Sequence, residues 1–330
     1  MAFLRLLESM RTGVGDAFFS AITYLGDEIL FLVIAILFFW CIDKRQGYFI
    51  LVTGVIGSVI NQWLKILCRI PRPWVIDPDF TTVGDATERA GGYSFPSGHT
   101  QNVAGTFGCI GRYNDKKWIK ITSLVIILLV SFSRMYLGVH TPLDVCVSLV
   151  IAAALVFFFH LVFRTEERCK KYMGYVVIGS VIFSIAFILY VFLIPESGFA
   201  SAEDLENLYS ARKNAATLTG CLFGLFLVYP LDKHYIKFET EARWYSQLIK
   251  LVIGVGIDLF IKEVLKNPLN TLCGSEYVGR AVRYFLIVAF SGALWPMTFK
   301  FFKKLRIPFM ERFTEWVVSK FSKKPKAEAK

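Results

Sequence analysis

The sequence predicts an all-α integral membrane protein, a polytopic helical bundle, and three observations carry that prediction. The 330-residue chain is 55% hydrophobic, contains 31 Phe and has a mean hydropathy of +0.51, more apolar than an ordinary soluble domain. Its apolar runs recur at membrane length. Its basic residues gather in alternate loops.

The elements follow in chain order. Residues 1–19, "MAFLRLLESMRTGVGDAFF", mix charged and apolar side chains at helical spacing and lack a small-residue cleavage site after an apolar core. They read as an interfacial N-terminal helix and not as a removed leader. Apolar runs then lie at about 20–42, 47–67, 97–112, 118–138, 143–163, 172–194, 214–231, 246–265 and 281–300, so about nine transmembrane helices are expected. The third is the weakest because Thr100, Gln101 and Asn102 stand at its start. After residue 300 comes a basic tail whose Lys/Ala-rich end is expected to be disordered.

The net charge of +11 is topological. Lys and Arg collect in "DKRQ", "GRYNDKKWIK", "FRTEERCKK" and the tail, whereas "PESGFASAEDLENLYSA" carries Glu196, Glu203, Asp204 and Glu206 and no basic residue. This asymmetry places the C-terminus in the cytoplasm and the N-terminus outside, and it calls for no nucleic-acid partner. The seven Cys lack metal-type spacing; most of them, Cys41, Cys68, Cys109, Cys146 and Cys221, fall within or at the edge of spans and read as buried small hydrophobes in preference to disulfides.

With that topology, four span ends meet on the outer side. One carries Lys65, Arg69 and Arg72 ahead of Pro73. The next opens with "PSGH", Pro96 to His99. A third closes with Ser133, Arg134 and His140, and the fourth opens with Thr141 and Asp144. Lys65, Arg72 and Arg134 are cations where few are expected, and two helix N-termini offer free N–H groups beside them, which together suit a phosphate. Two imidazoles, His99 and His140, supply the pair needed for phosphoryl transfer through a covalent intermediate, one to attack phosphorus and one to protonate the departing oxygen. Asp144 stands four residues after His140 and can orient it. Thr141 and Asp144 equally fit a plain capping box with Pro142 at the first helical position, and both roles can coexist.

These residues resemble the three-part signature of the type-2 phosphatidic acid phosphatase, or lipid phosphate phosphatase, superfamily: K-x6-RP at Lys65 to Pro73, PSGH at Pro96 to His99, and SR-x5-H-x3-D at Ser133 to Asp144. Every fixed position matches in order and spacing. The resemblance implies a catalytic core of that kind. It makes His140 the nucleophile of a phosphohistidine intermediate, Asp144 its orienting carboxylate, and His99 the acid for the leaving group and then the base for water. Lys65, Arg72, Ser97, Gly98 and Arg134 would hold the phosphate oxygens, with no metal and no cofactor.

The domain organisation that follows is an interfacial helix at 1–19, a membrane catalytic core at 20–163, a C-terminal transmembrane extension at 164–300 and a basic cytoplasmic tail at 301–330. The expected substrate is a lipid phosphate or diphosphate hydrolysed on the outer face of a bacterial cell membrane; polyprenyl diphosphate, phosphatidic acid and phosphatidylglycerophosphate are not separated. Nine spans with an external N-terminus also resemble the glucose-6-phosphatase branch, which keeps a soluble sugar phosphate open as an alternative, with Asp77, Asp79, Tyr93 and Glu196 as possible hydroxyl partners. A non-enzymatic transporter or scaffold is the remaining reading, weakened because no motif side chain is missing. The sequence leaves the oligomeric state open.

Overall fold

The computed structural model describes residues 1–88 and 90–321, and every regular element among them is a helix. Helix α1 (Ala2–Ser9) turns Leu4 and Leu7 inward and pairs Arg5 with Asp77 at 2.7 Å. Helix α2 (Gly13–Thr23) is capped by Thr12, whose hydroxyl accepts from the Gly15 N–H. A short turn leads to Asp27 and then to α3 (Glu28–Leu37), which continues as a π turn to Ile42. The two segments Gly13–Gly26 and Glu28–Ile42 meet at 52°. The single run expected at 20–42 is therefore broken, because the adjacent carboxylates of Asp27 and Glu28 are costly inside an uninterrupted apolar helix.

Helix α4 (Lys44–Cys68) is capped by Asp43 and ends where Arg69 adopts a left-handed φ of 50°. One turn, α5 (Pro73–Ile76), precedes a long loop, after which come α6 (Gly98–Tyr113), α7 (Lys117–Tyr136) and α8 (Pro142–Phe163). The second half contains α9 (Glu166–Leu193), α10 (Ala202–Leu231), α11 (Trp244–Val264), α12 (Lys266–Leu272), α13 (Glu276–Ala289), α14 (Phe299–Lys304) and α15 (Pro308–Phe321).

Among the described residues seven helices are long and apolar enough to cross a membrane, or eight if the bent pair is one span. The expected nine are not reached, and α6 accounts for the difference. Its 16 residues span about 24 Å at 1.5 Å per residue, short of a hydrocarbon core of about 30 Å. Gln101, Asn102 and four glycines dilute its apolar content, and it sits enclosed by α4, α7 and α8.

Aromatic packing joins the two halves. Trp63 of α4 lies against Phe183, Phe187 and Tyr190 of α9, and the fully buried Trp40 packs on Trp295 and Phe299. Small residues of α10 admit α13 closely: a Cβ on Gly220 would stand 2.2 Å from the Ala281 carbonyl oxygen. All seven Cys are free; only Cys109 is buried, while Cys68 and Cys146 are exposed, so the small-hydrophobe reading holds fully for Cys109 alone. The end of the expected tail, residues 322–330, lies outside the described residues, as does the disorder expected there.

Candidate active site

The C-terminal ends of α4 and α7 and the N-terminal ends of α6 and α8 come together, and short polar contacts fasten them. Ser97 caps α6 by accepting from the Thr100 N–H at 3.4 Å. Its own N–H donates to the Asp144 carbonyl at 3.2 Å. Ser148 donates to both the Ser97 and Asp144 carbonyls at 2.9 Å, tying the start of α6 to the start of α8.

The Asp144 carboxylate serves two purposes at once. Its Oδ2 accepts from the Thr141 N–H at 2.8 Å while the Thr141 hydroxyl accepts from the Asp144 N–H at 3.3 Å, which is the capping box. The same Oδ2 accepts from the Ser94 hydroxyl at 2.6 Å and lies 3.4 Å from His140 Nδ1. A carboxylate so held keeps the proton on Nδ1 and leaves Nε2 as the nitrogen with a lone pair. Arg72 Nη1 stands 3.0 Å from that Nε2. Burial, together with the charges of Arg72, Arg134 and Lys65, holds His140 well below the ordinary imidazole value, so the ring is neutral at physiological pH.

Lys65, Arg72 and Arg134 are each at most 5% exposed. Lys65 donates to the Tyr93 carbonyl. Arg72 donates to the carbonyls of Gly91 and Gly92 at 2.9 Å and of Val139 at 3.0 Å. Two of the three cations thus shape the loop before "PSGH" as well as the charge of the site. Arg134 differs: Nη1 donates to the Thr23 hydroxyl at 2.7 Å, while Nε and Nη2 are buried with no hydrogen-bond partner among the described residues. Buried guanidinium N–H groups of this kind are donors suited to an anion. A Cβ on Gly98 would meet only Asn61 Oδ1, at 3.8 Å, so the first turn of α6 presents bare backbone on that side.

His99 has a partner that the motif spacing does not reveal. Its Nε2 lies 2.7 Å from Asp27 Oδ1, at the break between α2 and α3. Asp27, Thr23 and Ser94 are the polar contacts missed from the sequence; the signal available was the "GDE" interruption inside the first apolar run.

Three of the four residues considered for sugar hydroxyls have their side chains engaged elsewhere. Asp77 pairs with Arg5, Glu196 pairs with Arg212, and the Tyr93 hydroxyl donates to Asp204 at 2.6 Å, whereas Asp79 accepts from Arg5 through its backbone carbonyl. Lys213 pairs with Glu276. Among the described residues no group of three or more His, Cys, Asp or Glu could hold a metal ion.

Comparison with known proteins gives matches on both halves. Residues 46–168 match the PAP2 superfamily model, and residues 216–306 match the model described as PAP2 superfamily phosphatase, transmembrane extension. The chain is similar to the undecaprenyl-diphosphatase BcrC of Bacillus subtilis, 34% identical over 38% of this chain and 61% of that protein. It is also similar to sphingosine-1-phosphate phosphatase 1 of Rattus norvegicus, 23% identical over 74% of this chain and 58% of that protein. The chain spans about half the length of the curated relatives it matches. The crystal structure of Aquifex aeolicus LpxE superposes with a TM-score of 0.38 and 24% identity over 48% of this chain and 92% of that one.

Proposed function

We propose that this chain, which belongs to the PAP2 superfamily and carries its transmembrane extension, is a membrane phosphatase for a lipid phosphate, working through a phosphohistidine. The observation that carries the reading is the neutral His140, set against Asp144 and facing the buried donors of Arg72, Lys65 and Arg134. In the first step His140 Nε2 attacks phosphorus, the bond from phosphorus to the ester oxygen breaks, and that oxygen takes a proton from His99. In the second, water attacks the phosphohistidine, gives its proton to His99, and the P–N bond breaks to release phosphate. Lys65, Arg72, Ser97, Gly98 and Arg134 hold the oxygens whose charge grows in each transition state. Asp27 holds the His99 ring.

A lipid is favoured over a soluble sugar because the site stands at helix ends and an apolar cavity of about 200 Å³ between α3, α4, α10, α11 and α13 reaches Glu28, the neighbour of Asp27. The Lys/Arg distribution supports an outer-facing site and a cytoplasmic C-terminus in a bacterial cell membrane. The boundaries at 163 and 300 then separate a catalytic core from an extension that walls the substrate's path.

Phosphate release by the purified protein tests the reading. Lipid monophosphates of increasing chain length should gain more than tenfold in kcat/KM over a few carbons, at about 0.8 kcal/mol per buried methylene. His140→Ala should abolish turnover and the acid-labile phosphoenzyme. A flat chain-length response with faster turnover of glucose 6-phosphate would replace the lipid by a sugar. Activity lost in EDTA and restored by a divalent ion would overturn the metal-free chemistry.

A further inference from the structure

Beside the catalytic groups lies a second, smaller cavity of about 90 Å³ that the phosphate chemistry does not use. It abuts the "PSGH" turn at Gly98 and is lined by Asn61 and Gln62 of α4, Gln101 and Asn102 of α6, Asn214 of α10 and Glu28 of α3. Glu28 follows Asp27, the residue against His99, so the cavity lies on the side where the leaving oxygen must be protonated. Asn61 and Gln101 are each 2% exposed, yet Asn61 Oδ1 and both amide atoms of Gln101 have no hydrogen-bond partner among the described residues. Buried amides at membrane depth are costly unless something satisfies them. Gly57 reinforces the arrangement, since a Cβ there would stand 2.6 Å from Gln101 Nε2.

The lining carries one carboxylate and no cation. Asn61 Oδ1, Gln101 Oε1 and the Glu28 carboxylate are acceptors, the Gln101 and Gln62 amides and the Ser58 hydroxyl can also donate, and no Lys or Arg lines the cavity. A second phosphate, which brings only acceptors and negative charge, is repelled by such a lining. A hydroxyl or ammonium on the carbons next to the phosphate ester satisfies it. Glu28 also lines the apolar cavity, so a chain leaving these carbons enters the groove walled by α11 and α13.

We infer that this cavity is the leaving-group subsite, selecting a lipid monophosphate with hydrogen-bond donors beside the ester and disfavouring a diphosphate. The inference rests on the phosphatase reading above. It is tested on the purified full chain with four synthetic substrates of one chain length: a 2-amino-alkyl phosphate, a 2-hydroxy-alkyl phosphate, an unsubstituted alkyl phosphate and an alkyl diphosphate. Both donor-bearing esters should exceed the unsubstituted ester at least tenfold in kcat/KM, with the diphosphate slowest.

Glu28→Gln and Gln101→Leu, each checked for folding by thermal unfolding, should reduce the donor-bearing rates at least fivefold more than the unsubstituted rate. Preference for the diphosphate or the unsubstituted ester overturns the subsite, as does an equal fall on all four substrates in both variants. If the wild type releases no more phosphate than His140→Ala from any substrate, the phosphatase reading itself falls, a result distinct from loss of selectivity.

Discussion

Asp27 and His140 show how much of the site a sequence can carry. The motif residues were legible because the chemistry fixes their spacing along helix ends: Asp144 one turn beyond His140, and His99 two residues beyond the cap Ser97. Asp27 was not legible, because its link to His99 is made by the bend of a distant segment and by no local spacing. If Asp27 positions the acid, Asp27→Asn should lower kcat on alkyl phosphates by about 10–100-fold and much less on an aryl phosphate whose leaving group needs no proton. Equal losses on both would assign Asp27 a purely structural part. His140 yields a pH prediction. Its pKa is lower folded than unfolded, so its contribution to stability is present above the unfolded value of about 6.5 and is lost as pH falls through the lower folded value. Imidazole NMR should find the ring neutral well below pH 6.5. Inorganic phosphate, by offsetting the surrounding cations, should move the midpoint upward.

At the scale of elements, hydropathy located the helices more reliably than it judged which of them cross. Each expected run found a helix. The first run proved broken because two carboxylates interrupt it, and the third proved short because it is walled by protein and needs little lipid-facing surface. The close approach of α10 to α13 was readable only as a set of small residues. Gly220→Ala should cost about 1–3 kcal/mol, since the new methyl meets a backbone carbonyl that cannot step aside. Gly256→Ala on α11, where nothing lies within 4 Å, should be neutral or stabilise by up to about 1 kcal/mol from helix propensity. Thermal unfolding of the two variants in one detergent compares them directly.

For the whole molecule, charge separates two ends. One holds the four converging helix ends, the Glu196–Arg212 pair and the acidic start of α10; the other holds Lys44 with Asp232 and Lys303 with Glu239. In a cysteine-free background, Ser201→Cys should react with an impermeant thiol reagent in intact cells and Ser319→Cys should react only after lysis. The reverse pattern would invert the topology and leave the site geometry untouched. The bend at Asp27 also has a consequence in time. Thr23 meets Arg134 across a sequence separation of 111 residues, which a ribosome covers on the order of ten seconds at about 5–20 residues per second. For the first two-thirds of that interval the nascent segment carries Asp27 and Glu28 with neither His99 nor Arg134 yet synthesised. A hinge at that spot lets the two carboxylates wait at the water surface while the apolar stretch after them inserts, so α6 and α7 arrive against a segment already in place.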